Sequence, residues 1–291
     1  MDYINGIKRD ILNAPAWACS GEGIRGIPGV KVIDDRTVTL NYTGTTVQIL
    51  YTLSLPSDNR IIVSFATLLN DDGTTTGNLL GSMAIMGMQQ VYMQKFWYRR
   101  TSKNYASYTI SGYAFDLQRG DDNTVDVFIR GHGRYFTNII GDYRIIVMAI
   151  SPFNTSFNSK CVGLKSVFDT TYELDKTTTG TQVIEETQFN PSRYKAWFTC
   201  AYYQDQSTSI TGRLYCSVEL RTCAQMAEQG TTGGNALMSL YMEDDEYHLT
   251  NKLDYGIHIT DDNSALQMGC ASSGYITSIV GNYRVLSIAL V

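Results

Sequence analysis

Three aromatic rings stand among three cations at Lys95-Phe96-Trp97-Tyr98-Arg99-Arg100. Such rings stack on sugars or bases, and guanidinium groups seek carboxylates or phosphates. Phe96, Trp97 and Tyr98 are therefore candidate ligand contacts. The chain is otherwise not basic, so a sugar suits them better than a nucleic acid. A second charged stretch, Glu243-Asp244-Asp245-Glu246, has the opposite sign. Tyr92-Met93 matches Tyr241-Met242, Tyr98 matches Tyr247 and Thr101 matches Thr250 at an offset of 149, which lays the basic stretch over the acidic one. Two unrelated solvated loops would account for this. So would a contact between unlike domains of neighbouring subunits, with Lys95, Phe96, Trp97, Arg99 and Arg100 meeting Glu243, Asp244, Asp245 and Glu246, where complementary potentials set the register.

Other residues with chemical potential are readily explained without chemistry. Asp121-Asp122-Asn123-Thr124 and Asp261-Asp262-Asn263-Ser264 offer paired carboxylates, but a turn whose Asx side chains bond their own backbone needs the same residues. Gly21-Glu-Gly23-Ile-Arg-Gly26 has dinucleotide-loop spacing, yet Pro28-Gly29 follows where a helix should begin, so residues 19–29 read as a flexible connector. His132, His248 and His258 stand in unlike contexts, away from acidic or cysteine partners at metal spacing. Cys19, Cys161, Cys200, Cys216, Cys223 and Cys270 are not shared between the halves and read as free, mostly buried thiols. Nucleophile-elbow, phosphate-loop and zinc-protease motifs are absent. The expectation is a protein without cofactor, metal or catalytic role.

The elements that would position these residues come in two sets. Tyr135–Ile150 and Tyr275–Leu290 align without a gap at an offset of 140, each carrying Gly-Asp/Asn-Tyr-Arg and then an apolar run. Glycine beside Asp or Asn signals a turn, and the run after it suits a buried strand. Pro56/Pro191 and Gly77/Gly212 extend the match at an offset of 135. Between them lie short segments rich in strand formers, among them 37–40, 47–53, 61–69 and 125–129. The reading is all-β: two tandem antiparallel β-sandwich domains, jelly-roll-like, over 17–151 and 152–291. Residues 1–16, with Ile4, Ile7, Ile11 and Leu12 on one face, form a short helix or arm. Insertions near 105–120 and 230–234 are candidate variable surface.

Composition narrows the class. The chain has 291 residues, is 43% hydrophobic and 18% charged, and carries a net charge of −5. Up to residue 150 there are 14 Lys/Arg against 13 Asp/Glu, and after it 9 against 15, a net of −6. Neither half has the basic footprint of a nucleic-acid binder, and no apolar run is long enough to span a membrane as a helix. The N-terminus lacks a signal-peptide layout, so synthesis in the cytoplasm is expected.

With its repeated Gly141-Asp-Tyr-Arg and Gly281-Asn-Tyr-Arg strands, the chain resembles bacteriophage virion structural proteins, such as capsid, fibre, neck or tail components with tandem jelly-roll-like domains. The resemblance implies a virion location and a structural role through self-assembly, with a trimer whose six domains form a ring and other virion proteins as partners. A carbohydrate-binding or host-attachment module, recognising a host glycan through the 96–98 rings, is the alternative.

Overall fold

The computed structural model describes residues 27–56, 61–69, 77–87, 94–100, 105–108, 112–120, 123–134, 136–151, 158–159, 164–187, 196–205, 210–222, 236–243, 246–250, 254–260, 262 and 264–290. The arm expected over 1–16 lies outside them. The described elements are strands. The first ten are β1 (Ile27–Pro28), β2 (Val30–Tyr42), β3 (Gln48–Ser54), β4 (Ile61–Leu68), β5 (Leu79–Gly87), β6 (Gln94–Arg100), β7 (Tyr105–Tyr108), β8 (Ala114–Arg119), β9 (Thr124–Arg130) and β10 (Ile139–Ile150). The rest are β11 (Asn158–Ser159), β12 (Leu164–Lys176), β13 (Gly180–Glu186), β14 (Ala196–Tyr203), β15 (Leu214–Thr222), β16 (Ala236–Glu243), β17 (Glu246–Thr250), β18 (Gly256–Ile259), β19 (Ala265–Cys270) and β20 (Ile279–Leu290).

These strands form an all-β, sandwich-like structure with two pairs of sheets. An eight-stranded sheet ordered β1-β11-β2-β10-β4-β5-β6-β7 packs on the three-stranded β3-β9-β8. A six-stranded sheet ordered β12-β20-β14-β15-β16-β17 packs on β13-β19-β18. Among the described residues the strands pair antiparallel apart from a parallel step of β11 on β2, and two isolated bridges, Asn78 with Asn138 and Arg213 with Ser278, are also parallel.

Burial explains why some strands alternate and others do not. In β9, Val125, Val127 and Ile129 point into the first sandwich core while Thr124, Asp126 and Arg130 are less buried. That is the two-residue period of a strand with one wetter face. In β4 and β10 both faces are dry. Ile145, Val147 and Ala149 enter the first sandwich core. Ile146, Met148 and Ile150 enter a second core on the opposite side. A strand buried on both faces must read as a continuous apolar run, and Ile145–Ile150 does.

The second core is a seam between the two large sheets. Ile61, Val63 and Phe65 from β4 meet Cys200 and Tyr202 from β14 and Leu286 from β20, all nearly inaccessible to solvent. The molecule is therefore layered small sheet, large sheet, large sheet, small sheet. One polar network crosses the seam. Arg284 makes a bidentate pair with Asp169 at 2.7 and 2.6 Å, and its Nη1 donates to the Tyr202 hydroxyl at 2.9 Å and to the Pro28 carbonyl at 3.1 Å. The paired carboxylate raises the Arg284 pKa further, and burial raises that of Tyr202. Ile27-Pro28-Gly29 is thus held in place and is no free connector. Pro28 pairs with Asn158, and the Gly29 carbonyl accepts from Ser151 N at 2.9 Å.

The closing strands carry matched bonds. The Tyr143 hydroxyl donates to the Leu79 carbonyl at 2.6 Å, and the Tyr283 hydroxyl to the Leu214 carbonyl at 2.7 Å. Gly141 and Gly281 do not form the turn their sequence signals. Both lie inside a strand in continuous register, opposite Leu40 and Leu174, with φ of 122° and 114°. The reason is close approach. A Cβ at Gly141 would meet Leu68 Cδ1 at 2.7 Å, and one at Gly281 would meet Tyr203 Cε2 at 2.6 Å.

Candidate functional site

The basic-aromatic stretch is β6 itself. Its register on β5 sets Arg99 opposite Leu79, Tyr98 opposite Gly81, Trp97 opposite Ser82 and Phe96 opposite Met83. The strand in the corresponding place of the second large sheet is β16, where Tyr241 stands opposite Leu214 and Ser239 opposite Ser217. Residues 95–100 therefore correspond to Leu237–Met242, an apolar stretch, and not to the acidic one. Glu243 and Glu246 form the last pair of the β16–β17 hairpin, and Asp244 and Asp245, between them, lie outside the described residues. The offset of 149 is not the one the strands follow. They follow 142, which the β6–β7 and β16–β17 hairpins keep without interruption. The 105–120 stretch accordingly holds no insertion ahead of β8, whereas the connection 223–235 exceeds its counterpart 88–93 by seven residues. Strands β6 and β16 also approach each other within the same chain.

A different constellation emerges where each small sheet begins. Gly112-Tyr113-Ala114 and Asp254-Tyr255-Gly256 each place a tyrosine between two positive-φ residues, at 84° and 63° in the first and 80° and 116° in the second. Glycine fills opposite positions of the two kinks, so in each a non-glycine residue sits where an L side chain is strained. At Gly256 a Cβ would collide with Ser239 Oγ, which explains glycine there.

The two tyrosines then meet unlike surroundings. Tyr113 packs its ring against His132 with centroids 4.4 Å apart, and the Arg130 guanidinium lies 4.7 Å from its centroid. Arg130 is itself fixed by donating Nε to the Thr45 carbonyl at 3.1 Å. Tyr255 instead stacks on Tyr275 at 6.2 Å and 30°. Tyr275 continues to Tyr241 at 6.1 Å, and Tyr241 to His248 at 5.8 Å. The Tyr241 hydroxyl donates to the Gly274 carbonyl at 3.2 Å. Sequence patterning did not single out this row. Its one cue is Tyr113/Tyr255, a match at the strands' offset of 142.

Side chains of the large sheets dock the edge strands β8 and β18. Ser82 Oγ donates to the Phe115 carbonyl at 3.3 Å, and Ser217 Oγ to the Ile257 carbonyl at 3.0 Å. The next edge N–H is met by a carboxylate each time, but from different strands. Leu117 N donates to Asp116 Oδ1 at 2.8 Å, and Ile259 N to Glu219 Oε2 at 2.8 Å. Asp116 is 0% and Glu219 2% exposed, so both carboxylates serve as buried acceptors for backbone. His258 sits beside Gln267, nitrogen to nitrogen at 2.7 Å, which takes up one ring position.

The Asp262 turn is as the sequence indicates. Its carboxylate accepts from Thr260 Oγ1 at 2.6 Å, from Ser264 Oγ at 2.7 Å and from Ser264 N at 3.1 Å. The Thr260 bond, then those from Ser264, hold its pKa down to about 2. The turn borders an open groove of about 830 Å³ with Val183, Glu186 and Gln267. Among the described residues no group of three or more His, Cys, Asp or Glu is arranged to hold a metal. Cys200, Cys216 and Cys270 are free thiols, with Cys200 and Cys216 Sγ 4.0 Å apart. The remaining cysteines lie outside the described residues or, for Cys161 and Cys223, in the segments 160–163 and 223–235 that do so. No protein-family model and no curated protein matches this chain.

Proposed function

We propose that the chain is a non-enzymatic structural protein, a duplicated jelly-roll-like sandwich over 17–151 and 152–291, which assembles with copies of itself as a component of a virus particle. The jelly-roll relation rests on one shared adjacency: in each half the first and last long strands pair, β2 with β10 and β12 with β20, and the last also pairs with β4 or β14. The duplication rests on the matched bonds of Tyr143 and Tyr283. The virion assignment rests on the chain's overall character.

The observation that carries self-assembly is a pair of exposed apolar positions on matched edges. Ile49 on β3 is 56% exposed and Val183 on β13 is 50% exposed, and each lies at a β-bulge, between Ile49 and Tyr51 and between Val183 and Glu185. Bulges discourage strand-on-strand pairing, so these edges offer side-chain contact instead. They belong to the two small sheets, at opposite ends of the layered stack. A contact from the first end of one copy to the second end of the next is heterologous and closes into a ring or continues as a fibre.

Light scattering coupled to size exclusion tests this on the full chain. A multimer is expected, with Ile49→Lys and Val183→Lys each falling to monomer alone. Mixed together, the two variants should form a dimer and nothing larger, since one intact contact remains between them. A wild-type monomer, or variants that stay fully assembled, overturns the proposal.

A further inference from the structure

We propose that Cys200 and Cys216 form a binding site for one soft monovalent metal ion of the copper(I) class, at the seam between the two large sheets. Their Sγ atoms lie 4.0 Å apart, Cys200 on β14 and Cys216 on β15. Cys200 pairs with Val218 and Cys216 with Tyr202, so the two cysteines are diagonal neighbours on one face of the sheet. Cys200 lies within the seam core, and Cys216 packs against it. Cys200 is buried and Cys216 half-buried, which gives an ion its approach beside Cys216. The thioethers of Met83 and Met148 belong to the same core. Thiolate and thioether sulfurs are soft ligands that select copper(I) over harder cations.

The spacing separates an ion from the other uses of paired cysteines. A disulfide brings its sulfurs to about 2.05 Å and its Cα atoms within about 6.8 Å. Diagonal residues of paired strands stand about 7–8 Å apart, so that bond would require the backbone to move. A shared ion does not. With metal–sulfur bonds of about 2.3 Å, sulfurs 4.0 Å apart subtend about 120° at the metal, a trigonal angle. Zinc would need four ligands, and among the described residues no group of three or more His, Cys, Asp or Glu is arranged to begin such a set. Copper(I) is satisfied by fewer, and a small thiol can complete its shell from the Cys216 side. The ion displaces the two thiol protons to solvent, because the thiolate is the ligand. Cys270 offers the contrast, a thiol whose Sγ donates to the Lys176 carbonyl at 3.8 Å.

The test uses the full chain carrying Cys19→Ser, Cys161→Ser, Cys223→Ser and Cys270→Ala, so that only the pair remains. The probe is copper(I) held by the coloured chelator bicinchoninate in the absence of oxygen. One copper per chain should pass from chelator to protein, and X-ray absorption should show sulfur in its shell. Adding Cys200→Ala or Cys216→Ala should weaken uptake by about 100-fold or more, beyond the loss from altering a group behind a ligand. A parallel comparison in the otherwise unaltered chain covers a background that fails to fold. There Cys216→Ala should bind one copper fewer than the wild type, and Cys270→Ala the same number. No uptake by the pair, or uptake that survives either substitution, overturns the assignment. So does a Cys200–Cys216 disulfide formed in air and read by mass, since the sulfurs would then close to bonding distance without a metal.

Discussion

Arg144 and Arg284 occupy matched places and make the same bidentate bond, to Asp35 at 2.8 and 2.7 Å and to Asp169 at 2.7 and 2.6 Å. Their surroundings differ. The Arg144 and Asp35 side chains are 26% and 32% exposed, and water competes for both ends of the pair. The Arg284 side chain is 10% exposed and also satisfies the Tyr202 hydroxyl and the Pro28 carbonyl. Arg284→Met should therefore destabilise the protein by about 1–3 kcal/mol, because it strands buried acceptors. Arg144→Met should cost less than about 1 kcal/mol, as exposed pairs do. Urea-denaturation midpoints of the two variants decide it, and equal losses would show that the seam does not distinguish them.

Among the elements, the closing strands β10 and β20 are the best test of equivalence between the halves. Tyr143→Phe and Tyr283→Phe each remove a buried hydroxyl bond to a carbonyl two strands away in the same sheet, Leu79 on β5 and Leu214 on β15. Each should cost about 1 kcal/mol in chemical denaturation, and alike in both halves. These strands were legible in the sequence because Ile145–Ile150 is apolar at every position, the mark of burial on two faces. β9 was legible through its alternation. Gly141 misled because the Gly-Asp pair is the same whether glycine serves a turn or makes room for Leu68, and only the neighbour decides. The 142 offset was missed because strand partners set it, whereas the residue identities at Tyr92, Met93 and Tyr98 match at 149. Asp116 and Glu219 were equally hidden. They do one job from different strands, so no alignment column pairs them.

At the scale of the whole molecule the seam links the stability of the two halves. Leu286 is 0% exposed and packs with first-half residues such as Val63 and Met148. Leu286→Ala should cost about 2–5 kcal/mol, the range for cavities in well-packed cores. Because both large sheets lose contacts with it, calorimetry should show one transition moving to lower temperature. A second-half transition that moves while a first-half one stays fixed would mean the layers unfold independently.

The central place of β10 and β20 also bears on how the chain comes off the ribosome. β10 joins β2 to β4, and β20 joins β12 to β14, yet each is synthesised after both of its neighbours. Until β10 emerges, β2 and β4 lack their shared partner. Until β20 emerges, the seam face of Ile61, Val63 and Phe65 lacks Leu286 and Ile288 to cover it. Nascent chains halted before residue 279 thus carry a finished set of first-half strands whose apolar seam face lacks part of its cover, the kind of surface that chaperones bind and that aggregates when it meets its like. Closure of the seam waits on β20, and pairings as distant as Leu164 with Leu290 make that wait slow.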